Sequence, residues 1–222
     1  IEPDPDLLKM FSFNLFNQLS GAVTAGMIHL GDRLGLFAAL ADAGEQLTTH
    51  ELADRLKLDE RWVREWAYNQ AAAKFLTVDN ADEPGSERFG LSPEGVAVLA
   101  SPNSPASGMG MFHRFPQMIG ALDVMPESFR TGQGHGYDSH GCEGAIGIER
   151  SFEPWNRSHL SPTVLPLVGD GDVVERLRAG ITVADIGCGA GGAVLMMAQA
   201  FPNSTFVGYD ISQYALDRAE SR

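Results

Sequence analysis

A short glycine-rich turn between two apolar runs constrains the fold of this chain more than any other feature of its sequence. An apolar run, the turn, a helical pattern and a second apolar run follow one another over residues 181–186, 187–192, 193–201 and 205–209. Ser212 then has the position of a cap for a further helix. This order predicts a βαβα unit, which is the repeat of a doubly wound α/β sheet.

The glycines of this turn fit two cofactor-binding patterns. Gly187, Gly189 and Gly192 have the spacing G-x-G-x-x-G of a dinucleotide site, whereas Asp185, Gly187, Gly189 and Gly191 fit D-x-G-x-G-x-G. Both patterns use glycine because a side chain would hold a nucleoside cofactor away from the backbone. The turn alone therefore predicts a nucleoside cofactor, either a dinucleotide or S-adenosylmethionine.

Asp185 favours S-adenosylmethionine over a dinucleotide. A dinucleotide places its pyrophosphate at a helix N-terminus, where backbone N–H groups and the helix dipole favour an anion, and a nearby carboxylate opposes this. S-adenosylmethionine has no phosphate and carries an ammonium and a sulfonium. Asp210, at the end of the second apolar run, can accept hydrogen bonds from both ribose hydroxyls of either cofactor and does not discriminate between them.

Two segments, Val183–Gly191 and Phe206–Ser212, resemble the first two motifs of the class I S-adenosylmethionine-dependent methyltransferases. The resemblance covers residues 181–222 and implies that S-adenosylmethionine is held by Asp185, Gly187, Gly189, Gly191, Asp210 and Ile211.

The resemblance also implies a role for most of these residues. Gly187 and Gly189 approach the methionine part and the adenosine of the cofactor. Asp185 orders the loop and reaches the amino group, directly or through water. Asp210 holds the ribose, and Ile211 lies against the adenine.

The same resemblance predicts that the sequence is part of a longer protein. Only two strands of the family's larger sheet are visible, and a doubly wound sheet cannot bury two strands on both faces with so little partner chain. The segments that complete the adenine wall, line the substrate and could supply a catalytic base would follow, so the catalytic residues are unknown. The 222 residues alone are expected to lack methyltransferase activity and to bind cofactor weakly or not at all.

Residues 1–100 have a different, mostly helical pattern. Apolar residues recur at three- and four-residue steps over residues 11–41, which predicts a helix interrupted at its glycines. Thr48 and Glu51 predict a capping box for the next helix. A third helix is followed by two strand-like runs, Phe75–Val78 and Arg88–Leu91. The order over residues 30–100 resembles a winged helix-turn-helix domain.

Together these patterns predict a mostly α winged-helix-like domain followed by the first βαβα of an α/β Rossmann-like methyltransferase domain. The predicted divisions are the winged-helix-like domain, a helical connector and the start of the methyltransferase domain, over residues 1–100, 101–180 and 181–222. The whole chain resembles bacterial methyltransferases with such an N-terminal domain, some of them regulators and others small-molecule O-methyltransferases. The implied activity is methyl transfer to a small-molecule acceptor at oxygen. The alternatives are a transcriptional regulator that binds S-adenosylmethionine and an NAD(P)-binding oxidoreductase.

The winged-helix-like part carries more negative charge than DNA binding favours. Over residues 45–100, eleven Asp and Glu outnumber six Lys and Arg, and the candidate reading helix places Glu60 and Glu65 beside Arg61 and Arg64. Duplex binding depends mainly on neutralising phosphates, so a nucleic-acid partner is not expected. The apolar stripe of the N-terminal helix predicts instead a homodimer formed through the N-terminal helices.

The remaining composition predicts a cytoplasmic protein. The net charge of −13 repels anionic membranes, no apolar run is long enough for a membrane helix, and the acidic, Pro-containing start is not a signal peptide. Two cysteines do not make a disulfide framework. No metal is predicted either, because the spacing of the potential ligands in one loop matches no site: His135, Asp138, His140 and Cys142.

Other reactive side chains are interpreted as structural. His159 could be a general base for a hydroxyl acceptor, but a lone histidine on a helix is more often structural. Phe152 and Trp155 could cover the methionine end of the cofactor and are expected instead to be core residues. Cys188 is expected to be a small buried residue rather than a nucleophile. Residues 131–147, which are rich in Gly and His, are predicted to be a loop.

Overall fold

The computed structural model describes residues 2–222, except for the side chain of residue 170, and divides into two compact units, one up to residue 96 and one over residues 97–222. The first unit contains α1 (Pro5–Arg33), α2 (Leu36–Ala43), α3 (Thr49–Leu56), α4 (Glu60–Ala72), β1 (Thr77–Asp79), β2 (Arg88–Gly90) and α5 (Pro93–Gly95). The second contains α6 (Met109–His113), α7 (Phe115–Gly120), α8 (Met125–Thr131), α9 (Gly141–His159), α10 (Leu165–Leu167), α11 (Asp172–Ala179), β3 (Thr182–Ile186), α12 (Gly192–Ala200), β4 (Thr205–Tyr209) and α13 (Gln213–Ser221). Short π-helical turns lie at Val96–Ala100 and Leu160–Val164, and 3-10 turns at Ala121–Asp123, Tyr137–His140 and Val168–Gly171.

The predicted interruption of the helical segment over residues 11–41 is confirmed, since the segment forms two helices, but the first begins earlier than predicted. Asp4 caps α1, because its carboxylate accepts hydrogen bonds from two backbone N–H groups, and Pro5 takes the first helical position. The chain breaks before α2 at Gly35, whose φ of +74° is a left-handed conformation that glycine adopts without a steric penalty.

The first unit has the helix order and the strand hairpin of a winged-helix domain. The predicted capping box is confirmed, since Thr48 and Glu51 each bond the other's backbone N–H. β1 and β2 pair antiparallel, as the two strand-like runs predicted. Gly31 of α1 is required by the packing, because a Cβ on it would lie 2.6 Å from the Phe37 ring and 2.8 Å from the Trp66 indole nitrogen.

The N-terminal part of α1 exposes a large apolar surface in the structure. Nine apolar side chains before Gly26 are more than half exposed: Leu7, Leu8, Met10, Phe11, Phe13, Leu15, Phe16, Leu19 and Val23. Monomeric proteins rarely expose so large a continuous apolar surface. Among the described residues, no helix has the combination of length and hydropathy that a membrane crossing needs.

The prediction of a loop over residues 131–147 is wrong for its second half, which forms the start of α9. The glycines there permit close packing rather than flexibility. A Cβ on Gly147 would lie 2.9 Å from the Arg114 Cβ and 3.0 Å from the Gly110 carbonyl oxygen, and a Cβ on Gly110 would clash with the backbone of Ser151. The contact between α6 and α9 therefore depends on these glycines and stabilises the helix that local composition disfavours.

The second unit ends in the predicted βαβα arrangement. β3 and β4 are parallel, and Asp185 pairs in register with Gly208. Side chains from α10, α11, α12 and the residue that follows α12 form the core on one side of the two strands: Leu165, Leu177, Met197 and Phe201, with Val183 and Phe206 packed against them. Ile186 and Tyr209 are exposed on the other face. The carboxyl ends of both strands and the glycine turn thus lie at one accessible edge.

Candidate functional site

The glycine turn after β3 has the backbone that its sequence requires. Gly187, Gly189 and Gly191 have φ of +85°, +55° and +74°, values that other residues adopt only with strain. A Cβ on Gly187 or Gly189 would meet no atom within 4 Å. The space above these two residues is therefore open to a ligand, and a nucleoside cofactor could approach the backbone closely.

Asp210 holds the glycine turn in place. Gly189 N–H donates a hydrogen bond of 2.7 Å to Asp210 Oδ2, and Ser212 N–H donates one of 2.9 Å to Asp210 Oδ1. Each carboxylate oxygen keeps a lone pair that a ribose hydroxyl could use. Asp210 therefore orders the loop, and the loop-ordering role that the resemblance implied for Asp185 stays a prediction.

Asp185 lies at the end of β3, on the half-covered face of the strand. Burial raises the pKa of its carboxyl above the ordinary value, and the negative charge of Asp210 raises that pKa further. A cation bound nearby would reverse this effect, because it stabilises the ionised form. The pair is therefore an electrostatically unfavourable arrangement that a cationic ligand would relieve.

A cavity of about 310 Å³ lies between the glycine turn and α9. Its lining includes Asp185 and the glycine turn on one side, and Ile148, Glu149, Phe152, Glu153 and Asn156 on the other. Phe152 is 58% exposed and Trp155 is 46% exposed, so the prediction that both are core residues is wrong. The acidic wall from α9 was not predicted. The spacing of Glu149 and Glu153 places them on one helical face, but the sequence does not show what that face meets.

A second, more open cleft of about 470 Å³ lies on the other side of Gly187. Its lining includes the two remaining predicted residues, Asp210 and Ile211, together with Ile186, Tyr209 and Tyr137. Ile211 is 84% exposed there. Tyr137 comes from the predicted loop, whose Asp138 accepts a hydrogen bond of 3.0 Å from Gln213 N–H at the start of α13.

The other reactive side chains have structural partners. The ring of His159 stacks on Trp155 at a centroid distance of 4.8 Å, and its Nδ1 lies 3.0 Å from the Trp155 carbonyl oxygen. Cys188 packs on Gly208, and burial raises the pKa of its thiol, which disfavours the nucleophilic thiolate. Within residues 2–222 no cluster of His, Cys, Asp or Glu side chains could hold a metal ion.

Comparison with known families identifies two parts of the chain. Residues 22–100 match the Rv2258c-like winged HTH domain, and residues 177–222 match a methyltransferase domain. A search of proteins with curated functions gave no match. The chain thus carries a winged helix-turn-helix domain followed by the first part of a methyltransferase domain.

Several solved structures have the same fold as this chain. The human N-acetylserotonin methyltransferase in complex with S-adenosylmethionine has a TM-score of 0.60 at 16% identity, covering 95% of this chain and 62% of that one. The mitomycin 7-O-methyltransferase has a TM-score of 0.59 at 19% identity, covering 98% and 63%. An O-methyltransferase from neocarzinostatin biosynthesis has a TM-score of 0.56 at 15% identity, covering 90% and 60%. The chain therefore spans about three fifths of the length of the structures it matches.

Proposed function

We propose that the protein transfers a methyl group from S-adenosylmethionine to an oxygen atom of a small molecule. The observation that carries this proposal is the open glycine turn between Asp185 and Asp210. Of the residues the structure describes, no lysine or arginine lines either adjacent cavity. Two arginines close to the turn, Arg157 and Arg222, are both paired with Glu153. The site therefore offers carboxylates to an ammonium and a sulfonium but little positive charge to a pyrophosphate, which favours S-adenosylmethionine over NAD(P).

The proposed cofactor contacts are those that the sequence predicts. Gly187, Gly189 and Gly191 give the cofactor access to the backbone, and Asp210 accepts hydrogen bonds from the ribose while it holds Gly189. Ile211 provides an apolar surface for the adenine, and Asp185 lies where it can attract the charged methionine end. The O-methyltransferase from neocarzinostatin biosynthesis, which has a similar fold, was solved in complex with S-adenosylmethionine and 2-hydroxy-5-methyl naphthoic acid. This complex supports a hydroxylated small molecule as acceptor.

Methyl transfer requires little of the protein beyond the alignment of the acceptor with the methyl group. The cofactor would supply an electrophilic methyl group, because its sulfonium sulfur leaves as a neutral thioether when the methyl group is transferred. The residues of this chain hold the nucleoside and the methionine end so that an acceptor oxygen can attack in line, which is where most of the rate enhancement arises. A hydroxyl acceptor must also lose its proton, and we assign no base to the described residues.

The test is a calorimetric titration of the intact protein with S-adenosylhomocysteine and with NAD. We expect binding of the first and none of the second. Heat from NAD without heat from S-adenosylhomocysteine would refute the proposal. A methyl-transfer assay with hydroxylated ring compounds then tests the acceptor class.

We also propose that two copies associate through α1. Phe11, Phe13 and Phe16 are 75%, 66% and 71% exposed, and an apolar surface of this extent is stabilised when a second copy covers it.

We further propose a cytoplasmic location for the protein. Both cysteines are free thiols, which supports it.

The charges of the winged-helix unit argue against transcriptional regulation through direct DNA contact. Arg61 and Glu65 form an ion pair of 2.8 Å on α4, and Arg64 lies 3.8 Å from Glu60. Arg88 of the hairpin pairs with Glu51 at 3.0 Å. Phosphate binding would have to compete with these carboxylates, so we favour a role in dimerisation and in shaping the substrate pocket.

A further inference from the structure

The Glu153 carboxylate lies beside the N-terminus of the helix that follows the glycine turn. In a dinucleotide site the pyrophosphate binds at the N-terminus of the helix that follows the glycine turn. That helix here is α12, which begins at Gly192. A Cβ built on Gly192 would lie 3.3 Å from Glu153 Oε2. The protein's own carboxylate therefore lies beside the positive end of the helix dipole.

Two arginines hold this carboxylate in position. Arg157 Nη2 donates to Glu153 Oε1 at 2.7 Å, and Arg222 Nη2 donates to Glu153 Oε2 at 2.6 Å. Arg222 also donates to the Ala190 carbonyl oxygen at 3.1 Å, which brings its guanidinium next to the glycine turn. The Glu153 side chain is only 15% exposed, so its position is set by packing as well as by charge.

The same network has a second acidic member. Glu149 is hydrogen-bonded to Arg218 and lies 3.5 Å from Arg222. It lies one helical turn before Glu153 and lines the same cavity. Arg222 therefore keeps one carboxylate partner when Glu153 is neutralised, whereas Arg157 loses its ion-pair partner.

We propose that Glu153 is a cofactor-specificity residue, because its carboxylate fills the phosphate position at the N-terminus of α12 and excludes phosphate-bearing nucleotides. This inference rests on the proposed function, in which the glycine turn binds a nucleoside cofactor. Without the carboxylate, a helix N-terminus and two guanidiniums would meet at one point, and that donor set binds phosphate. Glu153 thus separates a methyltransferase site from a dinucleotide site that has the same glycine spacing.

The experiment compares anion binding by the intact protein and by variants at one position. Glu153→Ser removes both the charge and the bulk, and Glu153→Gln removes the charge with little change in shape. Glu127→Gln is the matched control, because Glu127 is also paired with an arginine, Arg130, but lies on α8 outside the cavity. Inorganic pyrophosphate, ADP and adenosine are titrated into each protein.

Glu153→Ser should bind pyrophosphate at least about tenfold more tightly than the wild type, and the ADP-to-adenosine affinity ratio should rise by a similar factor. Removing one charge near a phosphate is worth about threefold to fivefold at the dielectric constant of water, and Glu153→Ser also removes the bulk that occupies the space beside the helix N-terminus. Glu153→Gln should show a smaller gain, about threefold, and Glu127→Gln none.

The proposal is overturned if the wild type and the three variants bind pyrophosphate with affinities that agree within about twofold. Wild-type protein that binds ADP as tightly as adenosine would do the same. If Glu153→Ser does not fold, the pyrophosphate affinity of Glu153→Gln is the deciding measurement, since this variant keeps the packing of the side chain. Failure of the proposed function has a different signature: S-adenosylhomocysteine would not bind the wild type, while the pyrophosphate titration would still report on Glu153.

Discussion

Replacing Asp210 tests whether one carboxylate both orders the glycine turn and holds the cofactor. Its two oxygens accept hydrogen bonds of 2.7 and 2.9 Å from the N–H groups of Gly189 and Ser212. A hydrogen bond to a charged group contributes about 1.5–3 kcal/mol, and partial exposure reduces this. We expect Asp210→Ala to lower the free energy of unfolding of the second unit by about 2 kcal/mol. Asp210→Asn should cost about 1 kcal/mol, because the amide keeps one acceptor oxygen.

Two measurements separate the local effect from the global one. Hydrogen exchange of the Gly189 amide reports the loop, and it should be about tenfold faster or more in Asp210→Ala, since 1.4 kcal/mol corresponds to a factor of ten. Urea unfolding reports the whole unit. Asp217→Asn is the control, because Asp217 lies in α13, the helix that follows Asp210, and its carboxylate accepts a hydrogen bond from the Gln213 side chain rather than from the glycine turn. Its effect should stay within about 0.5 kcal/mol.

The same variants test the cofactor contact and the electrostatics of the site. Asp210→Ala should weaken S-adenosylhomocysteine binding by about 1–3 kcal/mol, the cost of losing hydrogen bonds to a charged acceptor. Asp210→Asn should lower the pKa of Asp185, since the charge of Asp210 contributes to raising it. The reasoning fails if Gly189 exchanges at the wild-type rate in a folded Asp210→Ala variant whose cofactor affinity is also unchanged.

Three further predictions follow from other parts of the structure. Gly31→Ala should destabilise the protein by about 1–2 kcal/mol, because the added methyl group overpacks against two buried rings. Gly21→Ala, with open space around it, should stabilise the protein by about 0.5–1 kcal/mol. Equal melting temperatures of the two variants would contradict this prediction. Phe16→Glu should convert the proposed dimer to a monomer in sedimentation analysis, whereas Gln18→Glu should not. A wild-type protein that sediments as a monomer would refute the proposed interface. Because the pKa of Asp185 is raised in the folded state, its ionised carboxylate destabilises the fold above that raised pKa. Asp185→Asn should therefore raise the melting temperature at neutral pH, and the difference should vanish below about pH 4, the ordinary pKa of aspartic acid. A difference that persists at lower pH would show that charge is not its cause.

Local signals predicted several elements correctly. The capping box of Thr48 and Glu51 depends on residues three apart, and the βαβα order depends on runs of adjacent residues. The spacing of Asp185 and the glycines was sufficient to predict the turn, because a left-handed backbone demands glycine. Such features form within a few residues, so the sequence contains all the information they need.

Tertiary contacts explain two places where the structure differs from the sequence-based prediction. Residues 141–147 look like a loop because of their glycines, yet they are helical because Gly147 packs closely on α6. Phe152 is apolar and was expected in the core, yet it lines a cavity. Composition gives the preference of a segment, but the neighbouring helix determines whether glycine serves close packing or flexibility.

The sequence by itself determined the two-part organisation and the glycine turn between its acidic residues, because these depend on local spacing and backbone conformation. Only the tertiary structure decided which groups face that turn. Periodicity puts Glu149 and Glu153 on one side of α9, but only the packed helix brings the Glu153 carboxylate to the N-terminus of α12. The reason is physical: helical spacing fixes which side chains share a face, and the packing of distant segments fixes what that face contacts.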